Sequence, residues 1–234
     1  MSEFFDAFDR IDIVSLPHRA DRRREMLTNL QGAGLHDDPR VNFFDAYITA
    51  DFGPFWSRGS HGCFKSHLAL LKRAGDLGQS VLILQDDCQF LPAIRDYRVP
   101  HGTDIFYGGY KASDSSDLDA SDIIGAHFMG FSAVAAKAAA AYLAKLLDPD
   151  FPPDVKASFA PKFDAKVRPP IDGSLVWFRR AHPHFKTEFN QIGFQRSSRS
   201  DITPRFIDKL PVVRAFADVA RSAKSRMAAI NAWT

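Results

Sequence analysis

Short apolar runs separated by helix-periodic stretches are the feature that most narrows what this chain can fold into. The runs are Ile11 to Leu16, Val41 to Ala46, Val81 to Leu84, Ile105 to Tyr107 and His127 to Phe131, each too short for a helix. Between them lie helical stretches at Asp21 to Gly32, at Gly62 to Ala74 with Gly62 opening the helix, and at Val134 to Leu147, the last with an Ala-rich stripe. Parallel strands need long crossovers and bury both faces, so this alternation predicts an α/β fold, a mostly parallel sheet flanked by helices. Ligands of such sheets sit beyond the carboxyl ends of the strands. The residues that follow each strand are therefore the first candidates for chemistry.

Composition closes off several alternatives. With 45% hydrophobic and 25% charged residues over 234 positions, the chain can bury a full core without disulfides or metals. Its formal charge of +2 is too balanced for a protein that binds a nucleic-acid backbone by bulk electrostatics, so no nucleic-acid partner is expected. Cys63 and Cys88 fall outside any C-x-x-C pair and read as small buried residues. The opening MSEFFDAFDR lacks the order of a signal peptide, and no run of about 18 apolar residues occurs. The expected compartment is the cytoplasm.

Two stretches are not element-like. Lys111 to Ile124, with Asp114, Asp117, Asp119 and Asp122, reads as a solvated loop. From Asp148 to Pro170, Pro149, Pro152, Pro153, Pro161, Pro169 and Pro170 exclude helix interiors and central strands, as in lids or binding segments.

Three places carry candidate chemistry. The apolar run Val81 to Leu84 continues into Gln85 and two adjacent acids, Asp86 and Asp87. Carboxylates at a buried strand end need a cation, a donor array or water. A hard divalent ion that also holds a diphosphate would satisfy them, and so would a plain solvated turn. Pro17 to Met26 follows the first strand and carries His18, Arg19, Arg22, Arg23 and Arg24, where a helix N-terminus meets an anion. A phosphate-bearing ligand fits this stretch, as does an ordinary helix capped by Asp21 with its arginines in solvent. In Gly59 to Leu71, the polar Ser66 and His67 sit one turn into a helix whose buried stripe is Cys63, Leu70, Leu71 and Ala74. A helical His with no Ser-His-Asp order or metal partner is more often structural than catalytic.

Taken in order, these pieces resemble glycosyltransferase family 25, the lipooligosaccharide-biosynthesis galactosyltransferases that are also similar to collagen galactosyltransferases. The family pattern is an opening strand ending Asn-Leu before an Arg-rich turn, Gly-Cys-x-x-Ser-His-x-x-x-Leu, a strand ending Leu-Glu-Asp-Asp, and a late Ser-Asp-Ile. The corresponding residues here are Ser15-Leu16 with Arg19 and Arg22, Gly62-Cys63-Phe64-Lys65-Ser66-His67, Leu84-Gln85-Asp86-Asp87, and Ser200-Asp201-Ile202 after Gln195. Phe44-Asp45-Ala46 and Ile171-Asp172-Gly173-Ser174-Leu175 also fall in the expected order, so the match spans about residues 10 to 203.

The resemblance implies a GT-A-like, Rossmann-like fold and a nucleotide-sugar donor, most simply UDP-galactose. It also implies Mn2+ or Mg2+ on the diphosphate and transfer with inversion to a cell-surface glycan or lipooligosaccharide acceptor. It assigns the metal to Asp87 with Asp86, places Ser15, Leu16, Arg19, Arg22, Ser66, His67 and Asp86 around the donor, and makes Asp172 the candidate base. Asp172-Gly173-Ser174 reads equally as a helix N-cap.

Departures from the pattern matter. Gln85 stands where the family has Glu, Ser15 where it has Asn, and Pro17-His18 where Asp-Arg is usual. Gln85 motivates an alternative, a catalytically impaired member that binds nucleotide-sugar or glycan without transfer. A sugar-phosphate nucleotidyltransferase is disfavoured because Pro17 to Arg24 contains no glycine for a phosphate loop.

The organisation expected is a catalytic domain over 1–204 and a basic amphipathic helix over 205–234. In that tail Arg205, Lys209, Arg214, Arg221, Lys224 and Arg226 face only Asp208 and Asp218. An apolar stripe from Val212 to Ile230 ends near Trp233. Such a helix packs on its own domain, on a second subunit, or peripherally on the inner face of an anionic membrane.

Overall fold

The computed structural model describes residues 3–152 and 167–196. The tail 205–234, Ser200-Asp201-Ile202 and most of the proline-rich segment lie outside the described residues. In chain order the elements are β1 (Arg10–Ser15), α1 (Ala20–Gly32), β2 (Val41–Asp45), α2 (Arg58–Leu77), β3 (Val81–Gln85), β4 (Cys88–Phe90) and β5 (Ile105–Tyr107). They continue with β6 (Lys111–Ala112), β7 (Ile123–Ile124), β8 (Phe128–Phe131), α3 (Ala133–Leu146), α4 (Ile171–Ala181), β9 (Thr187–Phe189) and β10 (Gly193–Gln195).

Six strands form the central sheet in the order β2-β1-β3-β8-β5-β9. All run parallel except β8, which is antiparallel to both β3 and β5. The protein is thus an α/β fold built on a mostly parallel sheet flanked by helices. Along β3, Val81 and Ile83 join the apolar cluster of α2, α3 and α4, while Leu82 and Leu84 join that of α1 and the N-terminal phenylalanines. Both faces of β3 are covered, which is why it reads as a continuous apolar run, whereas the edge strand β2 is only partly buried and carries Asn42 and Asp45. From β1 the chain crosses to β2 on one side and then returns to β3 on the other. The strand order reverses there, opening a crevice at the carboxyl ends of β1 and β3.

Local structure departs from the sequence reading at several points. Helix α2 begins four residues before Gly62, where Ser57 Oγ accepts from Ser60 N at 3.0 Å and caps it. Gly62 is interior, and glycine is required because a Cβ there would lie 2.3 Å from Tyr47 O. Gly75 plays the same part against α3, whose Lys137 Cα would be 2.6 Å from an added Cβ. The alanines of α3 face this contact: Ala135, Ala136, Ala139 and Ala140 are buried.

Asp21 does not cap α1; the cap position is Arg19, without a side-chain cap bond. The stretch Lys111 to Ile124 is closed at its ends by the β6–β7 pair, so it is a hairpin-like excursion rather than a free loop. Cys88 is fully buried as expected, whereas Cys63 is only partly buried.

Candidate active site

The crevice at the switch point holds two adjoining hollows, of about 640 and 460 Å³, that share Cys63, Gln85 and Gln195. The first is lined by Val14, Ser15, Leu16 and Arg22, by Tyr47 and Gly59, and by Asp86 and Asp87. The second is lined by Ser60, Ile124, His127, Ile171 and Asp172. One cleft therefore runs from the acid pair to Asp172, with Gln85 at its middle.

At the first end, β3 stops at Gln85 and the chain turns through Asp86 and Asp87 into β4. The turn is not solvated: the two aspartates are 4% and 6% exposed. Charge compensation comes from α1. Arg22 Nη1 lies 2.9 Å from Asp86 Oδ1 and 3.3 Å from Asp87 Oδ2. Ser15 Oγ donates to Asp86 Oδ2 at 2.8 Å and accepts from Arg23 Nε at 3.2 Å. Burial pushes the Asp86 carboxyl above its usual range, and the Arg22 guanidinium offsets part of that push.

The antiparallel β4–β10 pair brings a second layer of support from far along the chain. Gln195 Nε2 donates to Asp87 Oδ2 at 3.2 Å. Arg196 Nη2 donates to Asp86 O at 2.6 Å, and Arg196 N donates to Asp87 O at 2.7 Å.

At the second end, Asp172 lies in the first turn of α4 but does not cap it, the cap position being Pro170. Its Oδ1 instead accepts from Gly125 N at 2.8 Å and Ala126 N at 2.7 Å. Oδ2 makes no hydrogen bond among the described residues, and the carboxylate is held at one oxygen only. His127 is 9% exposed and lines the same hollow, with no hydrogen bond to its ring among the described residues. Burial pulls its imidazole down to about 4, against the opposing pull of Asp172.

The sequence-predicted residues divide into two groups. Ser15, Leu16, Arg22, Asp86, Asp87 and Asp172 line the cleft. Arg19 is turned to Asp21, which it pairs with at 2.8 Å. Arg22 and Arg23 do not face solvent as a plain amphipathic helix would place them; Arg23 reaches Ser15 and Asp45.

Ser66 and His67 are buried behind the wall and support it. Ser66 Oγ accepts from Tyr47 N at 2.9 Å and donates to Gly62 O at 2.8 Å. His67 has Nδ1 2.9 Å from Cys63 O and Nε2 3.2 Å from Ala126 O, so it ties α2 to the loop that orients Asp172. Burial holds its imidazole below the usual range, and a neutral ring donates to one of these carbonyls at a time. Desolvation, with Asp172, Asp87 and Asp86 adding to it, pushes the Cys63 thiol above its ordinary range and so disfavours its thiolate.

Sequence reading missed His127, Gln195 and Arg196 as site residues. Only Gln195 had a signal, its place before Ser200-Asp201-Ile202.

Among the described residues no group of three or more His, Cys, Asp or Glu side chains is disposed to hold a metal ion. Among the described residues the acid pair offers one carboxylate oxygen to a hard cation. Asp87 Oδ1 is buried and lacks a hydrogen-bond partner among the described residues, whereas both Asp86 oxygens are engaged. Mg2+-like ions commonly take one or two carboxylates and complete their shell with phosphate oxygens and water.

No protein-family model matches the chain, nor does any curated protein. Among solved structures it is similar to a glycosyltransferase involved in the glycosylation of the major capsid of PBCV-1. The two are 8% identical over 92% of this chain and 99% of that one, with a TM-score of 0.49. A likeness this distant assigns neither family nor activity to the chain.

Proposed function

We propose that this protein is a nucleotide-sugar-dependent glycosyltransferase of the family 25 type. It transfers a hexose, galactose from UDP-galactose, with inversion to a cell-surface glycan or lipooligosaccharide acceptor. The observation that carries the reading is the single cleft at the strand-order switch, with the buried acid pair at one end and a one-sidedly anchored carboxylate at the other.

In this reading the donor diphosphate lies at the Asp86–Asp87 end and the acceptor hydroxyl at Asp172. The hydroxyl oxygen attacks the anomeric carbon, the bond from that carbon to the diphosphate oxygen breaks with its electron pair leaving on UDP, and the hydroxyl proton passes to Asp172 Oδ2. The Gly125 and Ala126 amides fix the carboxylate while it does so. Asp87 Oδ1 would hold Mn2+ or Mg2+, with Asp86 beside it, and when bound such an ion neutralises charge on the departing diphosphate. Arg22 and Arg196 keep the end of the cleft electrically balanced when no donor is present.

The test is UDP release from a panel of UDP-sugars, each with and without Mn2+. Hydrolysis of one donor supports transfer and names the sugar. UDP bound but no donor turned over favours the impaired, binding-only reading, for which the Gln85 amide in place of a carboxylate speaks. Neither binding nor turnover rejects both.

The proposed placement is cytoplasmic and peripheral on the inner membrane face through residues 205–234. It rests on the sequence of that tail. Among the described residues no helix is long and apolar enough to cross a membrane.

A further inference from the structure

The segment between β2 and α2 has an unusual surface. Residues 46–57 read Ala-Tyr-Ile-Thr-Ala-Asp-Phe-Gly-Pro-Phe-Trp-Ser, and Tyr47, Ile48, Phe52 and Trp56 are 46%, 72%, 57% and 69% exposed. Poor anchoring is not the cause. Ser66 Oγ holds Tyr47 N, Thr49 Oγ1 donates to Arg58 O at 3.0 Å, and Arg168 N donates to Pro54 O at 2.7 Å. Phe55, in the same segment, is buried against Phe64 with ring centroids 4.8 Å apart. A segment tied down at these points and still presenting several large apolar side chains to water marks a binding surface.

Its position narrows the ligand. Tyr47 and Gly59 line the acid-pair hollow, and Ser60 lines the Asp172 hollow. Trp56 directly precedes Ser57, whose Oγ is 3.0 Å from Ser60 Oγ. Tyr47 is therefore part of the cleft edge, and Trp56 adjoins in sequence the Ser57–Ser60 contact beside the Asp172 hollow.

Their chemistry narrows it further. An aromatic face carries partial negative charge and attracts the polarised C–H bonds of a pyranose, whose hydroxyls stay in water at the ring edge. Anchoring to anionic lipid instead draws on surplus Lys and Arg. Residues 46–58 contain one acid, Asp51, and one base, Arg58.

We propose that Phe52 and Trp56, with Tyr47 at the cleft edge, form the acceptor platform, a subsite on which a sugar ring of a saccharide acceptor stacks so that its hydroxyl is directed to Asp172. The proposal rests on the glycosyltransferase reading for its purpose, and it has a readout that does not depend on turnover.

The experiment is saturation-transfer NMR on the full chain with methyl β-D-galactoside, lactose and maltose as probes. Wild type is compared with Trp56→Ala, Trp56→Phe and the Phe52→Ala/Trp56→Ala double variant. UDP affinity on the same samples reports whether the donor end and the fold are intact, and flotation with phosphatidylglycerol vesicles tests the lipid alternative. The expected result is saccharide binding by wild type, weakened about tenfold in Trp56→Ala and largely restored in Trp56→Phe. Absence of binding by any of the three sugars, binding unchanged in the double variant, or loss of vesicle binding in place of saccharide binding overturns the platform. Saccharide binding with no donor turned over removes the transferase reading and leaves the platform. Donor turnover with an unaltered acceptor KM in the double variant does the reverse.

Discussion

The Arg22 guanidinium spans two buried carboxylates, with Nη1 2.9 Å from Asp86 Oδ1 and 3.3 Å from Asp87 Oδ2. A strand that ends in two desolvated acids is affordable only because α1 returns a cation to the same spot.

Replacing that cation exposes the cost. Arg22→Met leaves the acids without their bridging partner and lowers the unfolding free energy by about 3 kcal/mol, the scale for breaking a buried ion pair. Urea unfolding at neutral pH measures it. A variant as stable as wild type would mean that Arg196, Gln195 and Ser15 suffice to hold the acids.

Asp172 permits a separation of chemistry from folding. Asp172→Asn keeps an oxygen to accept from the Gly125 and Ala126 amides but has no basic oxygen for a proton, so turnover falls at least about a hundredfold with donor affinity little changed. Asp172→Ala additionally orphans both amides and costs about 1–3 kcal/mol of stability for each one left buried without a partner. Parallel steady-state kinetics and urea melts distinguish the two. Asn and Ala variants that lose stability equally would reduce Asp172 to a structural residue.

Gly62→Ala drives a Cβ to 2.3 Å from Tyr47 O, which is backbone and cannot rotate away. Destabilisation of about 1–3 kcal/mol is expected, together with displacement of Tyr47 from the cleft rim. Gly32→Ala at the end of α1, where no atom lies within 4 Å of an added Cβ, is the matched control and should be neutral or slightly stabilising. Equal melting temperatures for the two variants would contradict the contact.

His127 gives the protein an acid-side sensitivity. Its pKa falls from 6.5 to about 4 in the folded state, so between these values the unfolded chain binds the additional proton. Stability from this group is therefore fully present above pH 6.5 and is lost as pH drops toward 4, by up to about 3 kcal/mol. His127→Gln removes the dependence. The difference between wild-type and variant urea midpoints should shrink from pH 7 to pH 4.5; a constant difference would show that the imidazole titrates normally.

Local pattern was enough to read the skeleton of this protein. Each of the five runs became a strand of the central sheet, the inner strands β3, β5 and β8 being apolar because both their faces are buried, and three helices appeared within a few residues of where periodicity put them. The sequence also singled out Asp86 and Asp87, since acids at the end of a buried strand are costly enough to be conspicuous, while Asp172 came forward only through the resemblance to family 25. Elements β4, β9 and β10 escaped notice: each is three residues that mix polar with apolar side chains, unlike Ile105 to Tyr107, and their partners are distant. Of α4 only the cap pattern at Asp172-Gly173-Ser174 was legible, just after the prolines that precede the helix.

Only the tertiary structure decided what each polar residue does. Arg22 and Asp86 lie 64 residues apart, and Gln195 and Asp87 lie 108 apart, so their pairing depends on the strand order rather than on any local signal. The same dependence put Ser66 and His67 behind the cleft wall as ties between backbone segments, and placed Asp172 on two loop amides instead of at a helix cap. Backbone propensity and apolar periodicity are properties of neighbours in sequence. Charge pairing and hydrogen-bond saturation are properties of neighbours in space, and the fold creates those neighbours.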